Sequence, residues 1–269
     1  MSRMPSLPEA LLSSLTSELA TADTVALALT GSHARGDATS YSDVDILRYN
    51  QDLPEAENER YTLRYRESHL VSISTTTIAA KRAEIGQPQA AISAVPGLRQ
   101  MRILYDPIGE LAALQAEAEA FTWEPVRGAA EAYASETVMG YAEEAHKILS
   151  ELTRRHESSL LYATLGIVLG LTRAVAVAKG VLIESENEYF ERVQQVVGPD
   201  SPWTAQHRRA LGLDIGPARL APATARGIAG LHLYRETAYL LMPILKPEHR
   251  AVVNRTLEVI GTSSLAVSW

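Results

Sequence analysis

Leucines at positions 11, 12, 15 and 19 recur at helical spacing and predict an amphipathic helix over residues 8–20. The run Val25-Ala-Leu-Ala-Leu29 is continuously apolar and reads as a buried strand. A second strand is expected over 44–48, where Val44 and Ile46 fall on one face and Asp45 on the other. Residues 50–59 are polar and acidic and read as a loop or short helix. The stretches 61–66 and 70–75 alternate and are separated by Glu67-Ser-His69, which predicts a hairpin. A helix over 78–91, a strand over 101–105 and a further helix starting at Asp106-Pro107, with aspartate as N-cap, complete this half. Beyond Trp123 the strand signals vanish. Helical patterns run through 128–156, 158–179, 186–197, 203–211, 217–245 and 248–260, separated by breakers such as Gly180, Gly198-Pro199 and Gly216-Pro217. The expected class is α+β: a first domain over 1–123 with a small mixed sheet, then an all-α helical bundle over 124–269.

Between the first two strands lies the chain's most informative chemistry. Gly31 and Ser32 follow the first strand, ten residues intervene, and Asp43 and Asp45 open the second. Glycine lets backbone approach an anion closely. Ser32 is placed to cap the helix behind it, so that N–H groups and a positive dipole end face that anion. Alternation puts both aspartates on one face, where two carboxylates offer hard oxygen ligands to magnesium. An aspartate inside a strand pattern is a poor choice unless a ligand needs it.

This constellation of Gly31, Ser32, Asp43 and Asp45 resembles the nucleotidyltransferase superfamily of polymerase-β-like fold, whose signature is Gly-Ser, a short helix and Asp-x-Asp. A head of this kind followed by a helical bundle resembles the aminoglycoside nucleotidyltransferases, such as the streptomycin adenylyltransferases. The resemblance implies transfer of a nucleoside monophosphate, AMP from ATP, to a hydroxyl of a small molecule, aminoglycoside-like, with release of pyrophosphate. It implies two Mg²⁺ held by Asp43 and Asp45, and nucleotide contacts from Gly31, Ser32, Arg35 and Ser42. Tyr234 would stack on the base and Arg235 meet the phosphates, as relatives do from their last helices. It also implies a third carboxylate on the strand beside Asp-x-Asp. The matching stretch is Leu70-Val-Ser-Ile-Ser-Thr, so Ser72 and Ser74 stand where an acid is expected, and serine cannot serve as a base at neutral pH. Glu67 is out of alternation phase. Glu136, Glu143 and Glu144 are the candidates from the helical half. Two alternatives stay open: an antitoxin-like enzyme that modifies a protein, and a nucleotide-binding protein with a decayed site.

Composition narrows these readings. The 269 residues carry a net charge of −7, which argues against nucleic acid as partner. There is no cysteine, so disulfides and thiolate metal sites are excluded, and the N-terminus lacks an apolar leader; both fit a cytoplasmic protein. Residues 160–178 are almost wholly apolar and near membrane-spanning length, but they contain Arg173 and have no second such segment, so a buried bundle helix is expected and no membrane. Seven scattered histidines show no metal-ligand spacing.

Overall fold

A computed structural model describes residues 7–214 and 223–263. The chain divides into two compact units, one of residues 1–123 with Leu182–Glu186, the other of Glu124–Val181 with the rest. The segment Leu182–Glu186 follows the long apolar helix of the second unit yet belongs to the first. It is anchored there by the Ile183 N–H, which donates to the Ile92 carbonyl at 2.7 Å.

The first unit opens with α1 (Glu9–Leu19), whose Leu11, Leu12, Leu15 and Leu19 are all buried. Burial of that order contributes roughly 2 kcal/mol per leucine. Five strands follow: β1 (Thr24–Thr30), β2 (Val44–Asn50), β3 (Tyr61–Arg66), β4 (His69–Thr76) and β5 (Arg102–Tyr105). They form one sheet in the order β3-β4-β2-β1-β5, in which only β2 and β4 are parallel. The sheet is therefore mixed, as the sequence predicts. One face packs Leu27, Leu29, Val44, Ile46, Val71 and Ile73 against α1. On the other, Ala26, Ala28 and Tyr49 meet residues of three helices, α3 (Ile78–Ile85), α4 (Pro88–Gln100) and α5 (Glu110–Glu119). A short helix, α2 (Gly31–Arg35), joins β1 to the loop before β2.

Local structure departs from the sequence reading in two places here. The helix expected over 78–91 is two helices, because Pro88 starts α4 after the break at Gly86 and Gln87. Asp106 does not cap a helix at Pro107: α5 starts at Glu110 behind Gly109, which is left-handed, and the Asp106 carboxylate accepts the Ala112 N–H at 2.9 Å in its first turn.

The second unit is helical: α6 (Arg127–Gly140), α7 (Ala142–Arg154), α8 (Glu157–Lys179), α9 (Tyr189–Val197), α10 (Pro202–Leu211), α11 (Ala223–Leu241) and α12 (Pro247–Thr262). The pattern over 128–156 is broken at Tyr141, so Glu136 and the pair Glu143 and Glu144 lie on successive helices. The part of the 217–245 expectation that precedes Ala223, with Gly216 and Pro217, lies outside the described residues. By length and composition α8 could cross a membrane, but it is mostly buried among α6, α7 and α11. Arg173 is exposed. Gly170 on α8 is required by close packing: a Cβ there would fall 1.8 Å from the Tyr141 ring.

The unit's polar centre is His207, wholly enclosed on α10. Its Nε2 lies 2.9 Å from the Thr172 hydroxyl and its Nδ1 2.9 Å from the Gln194 amide nitrogen. The ring stacks on Trp203 at 4.8 Å, and burial pulls its pKa down to about 4.

Candidate functional site

The site grows from the β1–β2 register, in which Thr30 pairs with Asp45. Gly31 is the next residue and turns the chain into α2 with φ +67°, a conformation that glycine adopts without penalty. A side chain is excluded there for a second reason: a Cβ on Gly31 would lie 2.1 Å from Asp45 Oδ2. The glycine thus makes room for a carboxylate as well as for a turn.

The helix begins at Gly31 itself, so Ser32 sits within its first turn rather than capping it; Thr30, extended, occupies the N-cap position without a side-chain cap bond. The Ser32 carbonyl closes the other end, accepting from the Gly36 and Asp37 N–H groups at 2.9 and 3.1 Å. First-turn N–H groups have no partner inside a helix and are left facing outward.

Asp45 is half-buried. Burial raises its carboxyl above the ordinary range, and the neighbouring charge of Asp43 pushes the same way. A hydrogen bond from Ser72 and the charges of His33 and Arg35 oppose them. That bond runs from the Ser72 hydroxyl to Asp45 Oδ1 at 2.6 Å across the parallel β2–β4 pair, where the two residues are in register. Oδ1 is therefore occupied, while Oδ2 faces the bare edge of Gly31. His33, on α2, is held below its usual pKa by burial and by the charge of His69, against a bond to the Ser42 backbone and the pull of Asp45 and Asp43. Its Nε2 is enclosed and makes no hydrogen bond.

Residues 12–93 match the family model of the nucleotidyltransferase domain, a span that contains every feature just described. This part of the chain is a nucleotidyltransferase domain. No curated protein matches the chain. A solved structure, the nucleotidyltransferase-like protein from Exiguobacterium sibiricum 255-15, is similar at 16% identity over 95% of this chain and 80% of its own, with a TM-score of 0.47.

Within the nucleotidyltransferase domain, Gly31 lies against Asp45, Ser32 follows it in the first turn of α2, and Asp43, one residue before β2, acts on Asp45 through its charge. Arg35 acts on Asp45 through its charge, but its guanidinium is bound to Asp37 at 3.1 Å. Ser42 serves the loop: its hydroxyl accepts the Thr39 N–H at 2.9 Å. Tyr234 and Arg235 belong to the helical unit. Tyr234 is wholly buried in α11, where its ring has no face open to stack on a base. Arg235 binds the carboxylate of Glu236 at 2.9 Å. Sequence reasoning placed Ser72 on the right face but did not find its bond to Asp45, nor the proximity of His33 and His69. The Ser72 bond depends on which strand β2 pairs with, and alternation alone carries no such signal.

Among the described residues no group of three or more His, Asp or Glu side chains is arranged to hold a metal ion. Two carboxylates are present, however, one with its Oδ2 beside a glycine and its carboxyl raised by burial and, less, by its twin's charge. This donor set is short of positive charge and fits a divalent cation that fills its remaining positions with water and phosphate oxygens, as magnesium does.

Proposed function

We propose that the chain transfers a nucleoside monophosphate from ATP to a hydroxyl group of a small molecule. The acceptor oxygen bonds to the α-phosphorus, the bond from that phosphorus to the β-phosphate bridging oxygen breaks, pyrophosphate leaves and the hydroxyl proton passes to solvent. The observation that carries the reading is the fit of Asp45 against Gly31, where a Cβ would fall 2.1 Å from Oδ2. Asp43 and Asp45 would hold Mg²⁺, which when bound supplies positive charge to the reacting phosphates. The first-turn N–H groups of α2 and the Ser32 hydroxyl would take the terminal phosphates. Arg35 would add charge on exchanging Asp37 for phosphate. The aminoglycoside-like acceptor follows from the resemblance of the head-and-bundle layout alone. Tyr61, Leu63 and Tyr65 are exposed along one face of β3, where the register puts them on the same side of the sheet as Ser72 and Asp45. They offer an apolar surface over which an acceptor ring would lie.

The test is pyrophosphate release from ATP, Mg²⁺ and a panel of aminoglycosides and other polyols, with the product's mass gain measured. Asp45→Asn should slow transfer about a thousandfold, as loss of a central charged group does. It should not lower the melting temperature, since a neutral amide suits a site whose burial disfavours charge. Failure of the native chain to bind ATP with Mg²⁺ would remove the proposal. One observation favours a second reading, a nucleotide-binding protein without turnover: the Ser72 hydroxyl is given to Asp45, and β4 brings no acid to this face. Tight ATP binding with no product across the panel would select it.

A further inference from the structure

Asp45 reaches its place by constraints that come from both neighbouring strands. Just past the end of β1, Gly31 removes the one side chain that would collide with Oδ2. From β4, Ser72 donates its hydroxyl to Oδ1 at 2.6 Å. Ser72 is itself only 5% exposed and sits directly across from Asp45 in the parallel register. A hydroxyl rotates freely and has one proton to give. Here that proton goes to a carboxylate, the stronger kind of acceptor, at a length typical of charge-assisted O–H···O bonds. A half-buried aspartate has few other ways to hold one rotamer, because its carboxylate torsion is broad.

We propose that Ser72 is a positioning residue: its hydroxyl locks the Asp45 carboxylate so that Oδ2, beside Gly31, is presented to a divalent cation. The inference rests on Asp43 and Asp45 as the cation-binding pair. It assigns Ser72 no contact with nucleotide or acceptor. Partners that orient a ligating carboxylate in this way are typically worth ten- to a hundredfold in metal affinity. The same bond draws on one oxygen only, so the other keeps its full capacity as a ligand.

The experiment titrates Mn²⁺ into the full chain held saturated with a non-hydrolysable ATP analogue, followed by calorimetry. Wild type is compared with Ser72→Ala and Ser72→Thr, and melting temperatures are recorded beside the affinities. The expected result is an Mn²⁺ affinity about tenfold weaker in Ser72→Ala and within about threefold of wild type in Ser72→Thr, which keeps the hydroxyl. Both variants should bind the analogue as wild type does when Mn²⁺ is absent. Unchanged Mn²⁺ affinity in Ser72→Ala would overturn the proposal. Equal losses in the two variants, in step with falling melting temperatures, would mark a packing role and overturn it as well. If instead Asp45→Asn binds Mn²⁺ as tightly as wild type, the dyad reading itself fails, and Ser72 has no ligand to position.

Discussion

Asp45, half-buried in the first unit, and His207, wholly buried in the second, are both polar side chains that burial pushes toward the uncharged form, the carboxyl up and the imidazole down to about 4. What separates them is the state of their remaining atoms. Both ring nitrogens of His207 have partners, and Trp203 closes one face of the ring. That group is finished: it is a hydrogen-bonded core residue with nothing left to bind. Asp45 has a partner on one oxygen only, and its other oxygen meets a residue with no side chain. Asp45 is only half-buried, so an oxygen left without a protein partner beside a glycine stays open to a ligand. The two glycines repeat the contrast. Gly170 gives way to the Tyr141 ring, a packing contact, whereas Gly31 gives way to a carboxylate.

The sharpest way to break this comparison is at Gly31. Gly31→Ala would drive a Cβ into Asp45 Oδ2 and also force alanine to a φ of +67°. Displacing the carboxylate by about 1 Å should cost about a hundredfold in transfer. Measured as initial rates of pyrophosphate release, that loss should exceed whatever the variant loses in melting temperature. A variant of full activity would show that the close approach has no part in the chemistry.

The opposite signature is expected at His207. Its folded pKa of about 4 lies below the 6.5 of a free histidine, so the unfolded chain takes up the proton first. Stability is therefore fully present above pH 6.5 and is lost as the pH falls toward 4, by about 3 kcal/mol in all. Urea unfolding of wild type and His207→Gln at pH 7 and pH 4.5 isolates this contribution from those of the carboxylates. The variant should show a smaller drop between the two conditions, by about 2 to 3 kcal/mol. Identical drops would mean that His207 is not held neutral.

The two regions were also unequally legible. Gly31, Ser32, Asp43 and Asp45 lie within fifteen residues, so local spacing with strand alternation is enough to single them out as one candidate group. The fit between Gly31 and Asp45 was not legible as a contact, since it needs the antiparallel register that places Thr30 opposite Asp45. Ser72 was readable as a residue on the right face. Its bond was not, because the parallel pairing of β2 with β4 passes over the intervening β3. In the helical unit periodicity found the helices but not their partners. His207, Thr172 and Gln194 come from three helices, and nothing in their sequence positions links them. The return of Leu182–Glu186 to the first unit escaped for the same reason, being held by a backbone bond to Ile92 that carries no side-chain signal.

The smallest effect is expected at Tyr234, and it tests whether the helical unit lends an aromatic ring to the nucleotide. The resemblance to the aminoglycoside nucleotidyltransferases implies that Tyr234 and Arg235, on a late helix, meet a base and its phosphates. The ring, however, is wholly enclosed in α11, and burial pushes its phenol up to about 12. Stacking on a base needs an exposed ring face, and exposing this one would open the core of the unit. Tyr234→Phe keeps the ring and its packing and removes only the hydroxyl. It should change stability by about 1 kcal/mol or less. Affinity for the ATP analogue, measured by the same calorimetry, should stay within about twofold of wild type, about 0.4 kcal/mol. A large loss of nucleotide affinity with an unchanged melting temperature would return Tyr234 to the site and would require α11 to rearrange when nucleotide binds.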